Sequence, residues 1–243
     1  MPSPETAELD RTAEQHTALG TVLVTGGASG LGAAVADAVA AHGGTPVVLD
    51  LAEAADGVDA ERVDLADTRA AEAAVRAAAE RHGGFDAVVT AAGIDACGRL
   101  EDVDPQRWER VIAVNLLGTA AVARAALPYL ERSHGRIVTV ASTLGLRALS
   151  DATAYCASKF GVVGFSRALA VELAGRVGVT MLVPGGMQTA FFDGRPEQYR
   201  PGPDAQLAPP AAVAEAVVFA LSRPAGLELR ELVVTPSAEP SWP

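Results

Sequence analysis

The stretch from Thr21 to Gly44 limits the fold more than any other part of the chain. Thr21-Val22-Leu23-Val24-Thr25 is a short β-branched run that stops at glycines, and it reads as a buried strand. The turn Thr25-Gly26-Gly27-Ala28-Ser29-Gly30-Leu31-Gly32 follows, and then AAVADAVAAHGG. Leu31, Val35 and Val39 recur every four residues, which predicts a helix with one buried stripe that Gly43-Gly44 can end. A buried strand entering a helix through a glycine turn is how a βαβ unit begins. The junction also gathers backbone N–H groups and the positive end of a helix dipole, which together suit a pyrophosphate. Glycine there permits positive φ and close backbone approach. Gly26, Ser29, Gly30, Leu31 and Gly32 are therefore expected to line a nucleotide site.

The next strand, Pro46-Val47-Val48-Leu49-Asp50, ends in an acid. A carboxylate at that point can accept hydrogen bonds from both hydroxyls of an adenosine ribose, and it repels a 2′-phosphate. No Lys or Arg stands near Asp50 in the sequence and Ser29 is uncharged, so the pattern predicts NAD rather than NADP. Leu51 adjoins this site. Arg62-Val63-Asp64-Leu65 reads as a further short strand, with Asp64 placed for an adenine amino group and Leu65 beside it. The alternation continues. Asp67 caps a helix to Arg81 closed by Gly83-Gly84, and Phe85–Thr90 is a strand. Ala91-Ala92-Gly93 is free of bulk and can lie flat against a cofactor. Asp104-Pro105 starts a helix carrying Trp108, Val111, Asn115 and Leu116, which Pro128 should kink or end early. Arg136–Ala141 and Val179–Val183 are strands, Pro210–Ser222 a helix and Glu231–Val234 a last strand. This predicts a single-domain, doubly wound Rossmann-type α/β fold over 19–243. Its sheet is mostly parallel and seven-stranded, with helices on both faces.

The chemistry is expected between Ala141 and Val171. A strand end delivers Ser142, and Tyr155 and Lys159 stand four apart on a helix, about 6 Å along its axis and on one face. A phenol near pKa ~10 is a weak acid–base group at neutral pH, and a neighbouring ammonium lowers that value. With a serine hydroxyl to hold the substrate oxygen, the three residues suit interconversion of an alcohol and a ketone. Asn115, in the apolar stripe VIAVNLLG, needs partners if it is buried.

With 243 residues, 49% of them apolar, the chain can bury a large core. No apolar run in the sequence reaches the ~20 residues that cross a bilayer. The net charge of −11 argues against nucleic acid and anionic membranes as partners. The first residues are acidic and polar, with no signal peptide, which gives a cytoplasmic expectation. Cys97 and Cys156 form no metal or redox pattern and read as free thiols. Residues 1–18 read as a flexible arm. Residues 188–208, rich in Pro and Gly, read as a lid, with Leu144, Leu149, Met187, Phe191, Phe192 and Tyr199 lining an apolar pocket. Arg147 and Arg195 are the basic residues placed to meet a substrate anion. The tail TPSAEPSWP has no regular period.

From Thr21 to about Val234 the chain resembles the short-chain dehydrogenase/reductase family, in its subgroup of soluble enzymes. The resemblance rests on Thr25–Gly32, Asp50, Asp64, Ala92-Gly93, Asn115, Ser142, Tyr155-Cys-Ala-Ser-Lys159 and Pro184-Gly-Gly-Met-Gln-Thr189. It implies that Tyr155 is the general acid or base and that Ser142 holds the substrate oxygen. Lys159 would bind the nicotinamide ribose and depress the tyrosine pKa, and Asn115 would anchor a water in a proton relay. Pro184, Gly185, Met187 and Thr189 would seat the carboxamide, and Gly186 would face substrate. It implies a homodimer or homotetramer pairing the helices of Asn115 and Tyr155. Thr90 stands where the family has an asparagine that braces the sheet, and its hydroxyl is expected to substitute. The end of the chain departs from the glycine-rich strand of family tetramers, with Trp242 placed to pack on a neighbouring subunit or to fray. Two other readings stand beside an NAD-dependent dehydrogenase of secondary alcohols. One is an NADPH-dependent 3-oxoacyl reductase of fatty-acid or polyketide type. The other is a non-catalytic NAD-binding regulatory protein.

Overall fold

The computed structural model describes residues 19–242, so the expected N-terminal arm, 1–18, lies outside the described residues. Seven strands form one sheet. They are β1 (Thr21–Thr25), β2 (Thr45–Asp50), β3 (Asp59–Arg62), β4 (Ala87–Thr90), β5 (Arg136–Val140), β6 (Gly178–Pro184) and β7 (Glu231–Val234). Their order is β3-β2-β1-β4-β5-β6-β7, and every pairing is parallel. The order reverses between β1 and β4, and that crevice at the strand C-termini is where a doubly wound sheet binds ligands.

The helices are α1 (Gly30–Ala41), α2 (Thr68–His82), α3 (Pro105–Ile112), α4 (Thr119–Ser133), α5 (Thr153–Glu172) and α6 (Pro210–Leu221), with a π-helical segment at Ala113–Gly118 between α3 and α4. Each face of the sheet carries its own core. On one side Leu23, Leu49, Val88 and Ile137 meet α2 and α4. On the other Val22, Val24, Val89 and Val138 meet α1 and α6. Strands covered on both faces need side chains that are apolar throughout, which is why β1 and β4 read as continuous apolar runs. Leu31, Val35 and Val39 form the buried stripe of α1. The Asp67 and Asp104 side chains cap α2 and α3 through the N–H groups of Arg69, Ala70 and Arg107.

Three expectations are corrected. The strand expected at 62–65 lies at Asp59–Arg62, in register with Val47–Asp50, while Val63 and Leu65 are buried beyond its end. An edge strand needs only backbone partners, so its mostly exposed residues, Asp59-Ala60-Glu61-Arg62, give no apolar signal. Pro128 does not end its helix, which continues to Ser133. Burial of Val122, Ala125, Ala126 and Leu130 outweighs the hydrogen bond that Pro128 cannot give to the Arg124 carbonyl. The whole helical stretch Pro105–Ser133 is also long and apolar enough to cross a bilayer. Over half of its apolar window is buried inside the protein, which makes it a core helix.

Thr90 does not brace the sheet as expected: its buried Oγ1 has no hydrogen-bond partner among the described residues. A buried hydroxyl left unpaired costs about 1–3 kcal/mol. Thr90→Val should therefore stabilise the protein by about 1 kcal/mol, seen as a rise of roughly 2–4 °C in Tm. A fall in Tm would show that the hydroxyl has a bracing role after all.

Candidate active site

A cavity of about 950 Å³ opens along the C-terminal ends of the strands, from Asp50 and Asp64 at one end to Phe191 and Tyr199 at the other. Its first wall is the glycine turn. Gly26 has φ +72°, and a Cβ there would fall 2.7 Å from the Ala92 Cα. A Cβ at Gly32 would meet the Gly26 carbonyl, so α1 can begin this close to β1 only with glycine at 32. Ser29 makes no side-chain cap, which leaves the first-turn N–H groups of α1 open to the cavity. Asp50 braces the turn by accepting Ala28 N–H through Oδ2 at 2.9 Å and Ala52 N–H through Oδ1 at 2.9 Å. Leu51, half exposed, and buried Leu65 line the same end.

Two neighbours were not visible in the sequence. Arg62 lies directly beside Asp50 across β2 and β3, its Nε donating to the Leu51 carbonyl at 2.9 Å, although no base stands near Asp50 along the chain. The Asp64 carboxylate accepts from Arg110 Nη2 at 3.1 and 3.2 Å and from Ala66 N–H at 3.0 Å, so Arg110 shares that end of the cavity.

The middle of the cavity holds the expected constellation. β5 ends at Val140, and Ser142 follows in extended conformation, 8% exposed, its Oγ accepting Leu144 N–H at 3.1 Å. The Lys159 ammonium, 4% exposed, donates to the Val140 carbonyl at 2.8 Å and stands 5.6 Å from the centre of the Tyr155 ring. Burial pushes the Lys159 ammonium down to about 8. Burial also pushes the Tyr155 phenol up, to about 12, against a hydrogen bond from Ser142 that lowers it. The four-residue spacing to Lys159 predicts the opposite, a lowered tyrosine pKa. Desolvation decides the sign because the phenol is withdrawn from water.

This arrangement ties stability to pH. Native Lys159 loses its proton near 8, and in the unfolded chain it does so near 10.5, so between these values the unfolded state binds more protons and stability rises with pH. Replacement of Lys159 by Met should remove that rise. The stability of the variant relative to wild type is then highest near pH 7 and falls by about 2 kcal/mol toward pH 10, as measured by urea unfolding. A difference that stays flat across this range would show that Lys159 is not desolvated.

Asn115, 1% exposed, sits in the π-helical segment. Its Oδ1 accepts Ile94 N–H at 2.9 Å, while Nδ2 donates to the Ile94 carbonyl at 2.9 Å and to Ser158 Oγ at 3.0 Å. The side chain thus pins the loop after β4 to α5, and π-turns of this kind recur at functional sites. A Cβ on Gly93 would stand in ordinary contact, 3.6 Å from Lys159 Nζ and 3.7 Å from Asn115 Oδ1, so this wall passes close to both side chains.

Pro184 ends β6, and Gly185, Gly186, Met187 and Thr189 continue along the cavity. Residues 188–208 cover the far end, closed at the base by a bridge between Met187 and Ala208. The Phe191 ring lies 5.5 Å from that of Tyr155 and 5.6 Å from that of Phe192. Leu144 and Leu149 complete the apolar lining, Leu149 being largely exposed. Arg195 is already paired, although its buried Nε has no hydrogen-bond partner among the described residues. It is bonded to Asp95 at 2.8 Å and lies 4.7 Å from the centres of both phenylalanine rings. Arg147 donates to the Pro240 carbonyl at 3.2 Å. The Cys97 thiol donates a hydrogen bond to Asp95 and is pushed up to about 12 by burial, which makes it a poor nucleophile, and Cys156 is buried. Among the described residues no cluster of His, Cys, Asp or Glu is placed to hold a metal ion.

Comparison with known proteins gives this geometry a context. The family model described as short chain dehydrogenase matches residues 20–200. The chain is 37% identical over 184 residues to D-beta-hydroxybutyrate dehydrogenase of Cupriavidus necator, covering 70% of this chain and 71% of that one. It is 40% identical over 167 residues to D-threitol dehydrogenase of Mycolicibacterium smegmatis, covering 63% and 64%. Among solved structures, an alcohol dehydrogenase from Thermococcus sibiricus complexed with 5-hydroxy-NADP superposes with a TM-score of 0.78 at 25% identity, covering 88% of this chain and 95% of that one.

Proposed function

The chain belongs to the short chain dehydrogenase family, and on that footing we propose that it moves a hydride between NAD(H) and a secondary alcohol or ketone. The observation that carries this reading is the meeting of Ser142, Tyr155 and Lys159 in the middle of a cavity that has the glycine turn and Asp50 at one end and an apolar cover at the other. When bound, the dinucleotide supplies the hydride acceptor or donor. The chain supplies position and proton transfer. The Ser142 hydroxyl holds the substrate oxygen; the Tyr155 hydroxyl gives its proton to a ketone oxygen, and the Tyr155 phenolate takes the proton of an alcohol. Lys159, fixed by the Val140 carbonyl, places its charge beside the ring of that phenol, and Asn115 keeps the wall next to Lys159 in place. The sugar-alcohol and hydroxy-acid names of the two relatives support a small CH–OH substrate. The uncharged Ser29 and the carboxylate of Asp50 support NAD.

A cytoplasmic homo-oligomer goes with this reading. Leu117 and Phe160, on the two helical segments of Asn115 and Tyr155, are exposed to 50% and 46%, as a paired helix face requires. Segment 188–208 acts as the lid. The test is fluorescence titration with NADH and NADPH, followed by a panel of secondary alcohols with NAD. Tighter NADH and turnover of at least one alcohol are expected. Binding of neither dinucleotide would overturn the reading.

A further inference from the structure

The segment after β7, without pattern in the sequence, folds back onto the cavity. Glu239 Oε2 accepts the Gly186 N–H at 2.8 Å, and Oε1 accepts the N–H and hydroxyl of Ser241 at 3.0 and 2.6 Å. The Ser241 hydroxyl is in turn 2.7 Å from Thr143 Oγ1, next to Ser142, and the Pro240 carbonyl accepts from Arg147. The tail is thus tied to the exit of β6 and to the turn that carries Ser142. Residues 238–241 line the cavity together with Ser142, Leu144 and Gly186.

A carboxylate has about four acceptor positions; the Gly186 N–H and the two Ser241 donors occupy three, which leaves one, on Oε2. Partial burial raises the Glu239 pKa, but the donors from Ser241 and Gly186 together outweigh it and hold the group below the usual range. It therefore stays ionised at neutral pH. Arg147 is the nearest base along the tail, and its guanidinium is bonded to the Pro240 carbonyl. Arg195 is neutralised by Asp95, while exposed Arg200 is bonded to the Arg195 carbonyl and shares its segment with Asp204.

We propose that Glu239 sets the substrate class of this site, admitting neutral hydroxylated molecules, whose hydroxyl it accepts, and rejecting carboxylates. This rests on the dehydrogenase reading for the location of substrate. Discrimination comes from the repulsive element: a substrate carboxylate at this wall meets a fixed negative charge in partly desolvated surroundings.

The test uses 4-hydroxypentanamide and 4-hydroxypentanoate, which differ in charge and hardly in shape, titrated calorimetrically into the full chain in the presence of NADH. Wild type should bind the amide at least ~10-fold more tightly, and Glu239→Gln should bring the two within about 3-fold of each other. Ser241→Ala, which loosens the tail but keeps the charge, should retain the preference. Equal affinity in wild type, a preference that survives Glu239→Gln, or binding of neither compound would overturn the proposal. Failure of the dehydrogenase reading shows differently: no alcohol transfers hydride to either dinucleotide, while the amide preference and its loss in Glu239→Gln persist.

Discussion

Tyr155→Phe should yield a folded protein that binds NADH as wild type does and whose turnover of a secondary alcohol is lower by ~10²–10⁴-fold, the usual contribution of a positioned acid–base group. The substitution removes one hydroxyl and keeps the ring, so the contact with Phe191 at 5.5 Å survives. Lys159 keeps its bond to the Val140 carbonyl, and Asn115 keeps its bonds to Ile94. What disappears is the hydroxyl of the ring beside Lys159, with its hydrogen bond to Ser142. The experiment is a kcat measurement on the best alcohol of the panel, paired with NADH fluorescence titration and a thermal melt. Loss of kcat with binding and Tm intact assigns the proton to Tyr155. An unchanged kcat would remove Tyr155 from the chemistry, and a collapsed Tm would assign it to packing.

Why the sequence announces this site and hides its surroundings follows from how each is built. Ser142 is announced by a strand end, and Tyr155 and Lys159 by helical spacing; both are local patterns. The glycine turn is legible for the same reason, since Gly26 and Gly32 answer to backbone geometry within a few residues. The flanks of β1 and β4 leave them no polar face, so their apolar runs could be only buried strands. Contacts between distant segments leave no such trace. Asp95 and Arg195 are 100 residues apart, and Gly186 and Glu239 are 53 apart. Arg62 reaches Asp50 only through strand pairing, and its strand lies earlier than the apolar pattern predicts because an edge strand gives little apolar signal. The sign of the Tyr155 shift is hidden too. It depends on how far the phenol is withdrawn from water, and spacing to a lysine does not report that.

Arg62 gives the cofactor question its sharpest test. Asp50 alone predicts exclusion of a 2′-phosphate, because two unit charges about 4 Å apart near a protein surface interact by ~4 kcal/mol. Solvent and salt reduce this, leaving roughly 10²-fold in favour of NADH. Yet a base already stands across the strand pair from that carboxylate, of the kind that accommodates a 2′-phosphate. Asp50→Asn removes the charge while its side-chain oxygen can still accept one of the two bonds from Ala28 and Ala52, so the glycine turn keeps part of its brace. With Arg62 no longer opposed, NADPH binding should tighten by ~10²-fold relative to NADH, read by fluorescence titration of both. Arg62→Ala placed on that variant should take back about 10-fold of the gain, since a charge-assisted contact to phosphate is lost. If wild type already binds NADPH as tightly as NADH, Asp50 does not select the cofactor. If Asp50→Asn gains NADPH affinity and Arg62→Ala changes nothing, the selection is repulsion by Asp50 alone, and Arg62 serves only to join β3 to the loop after β2.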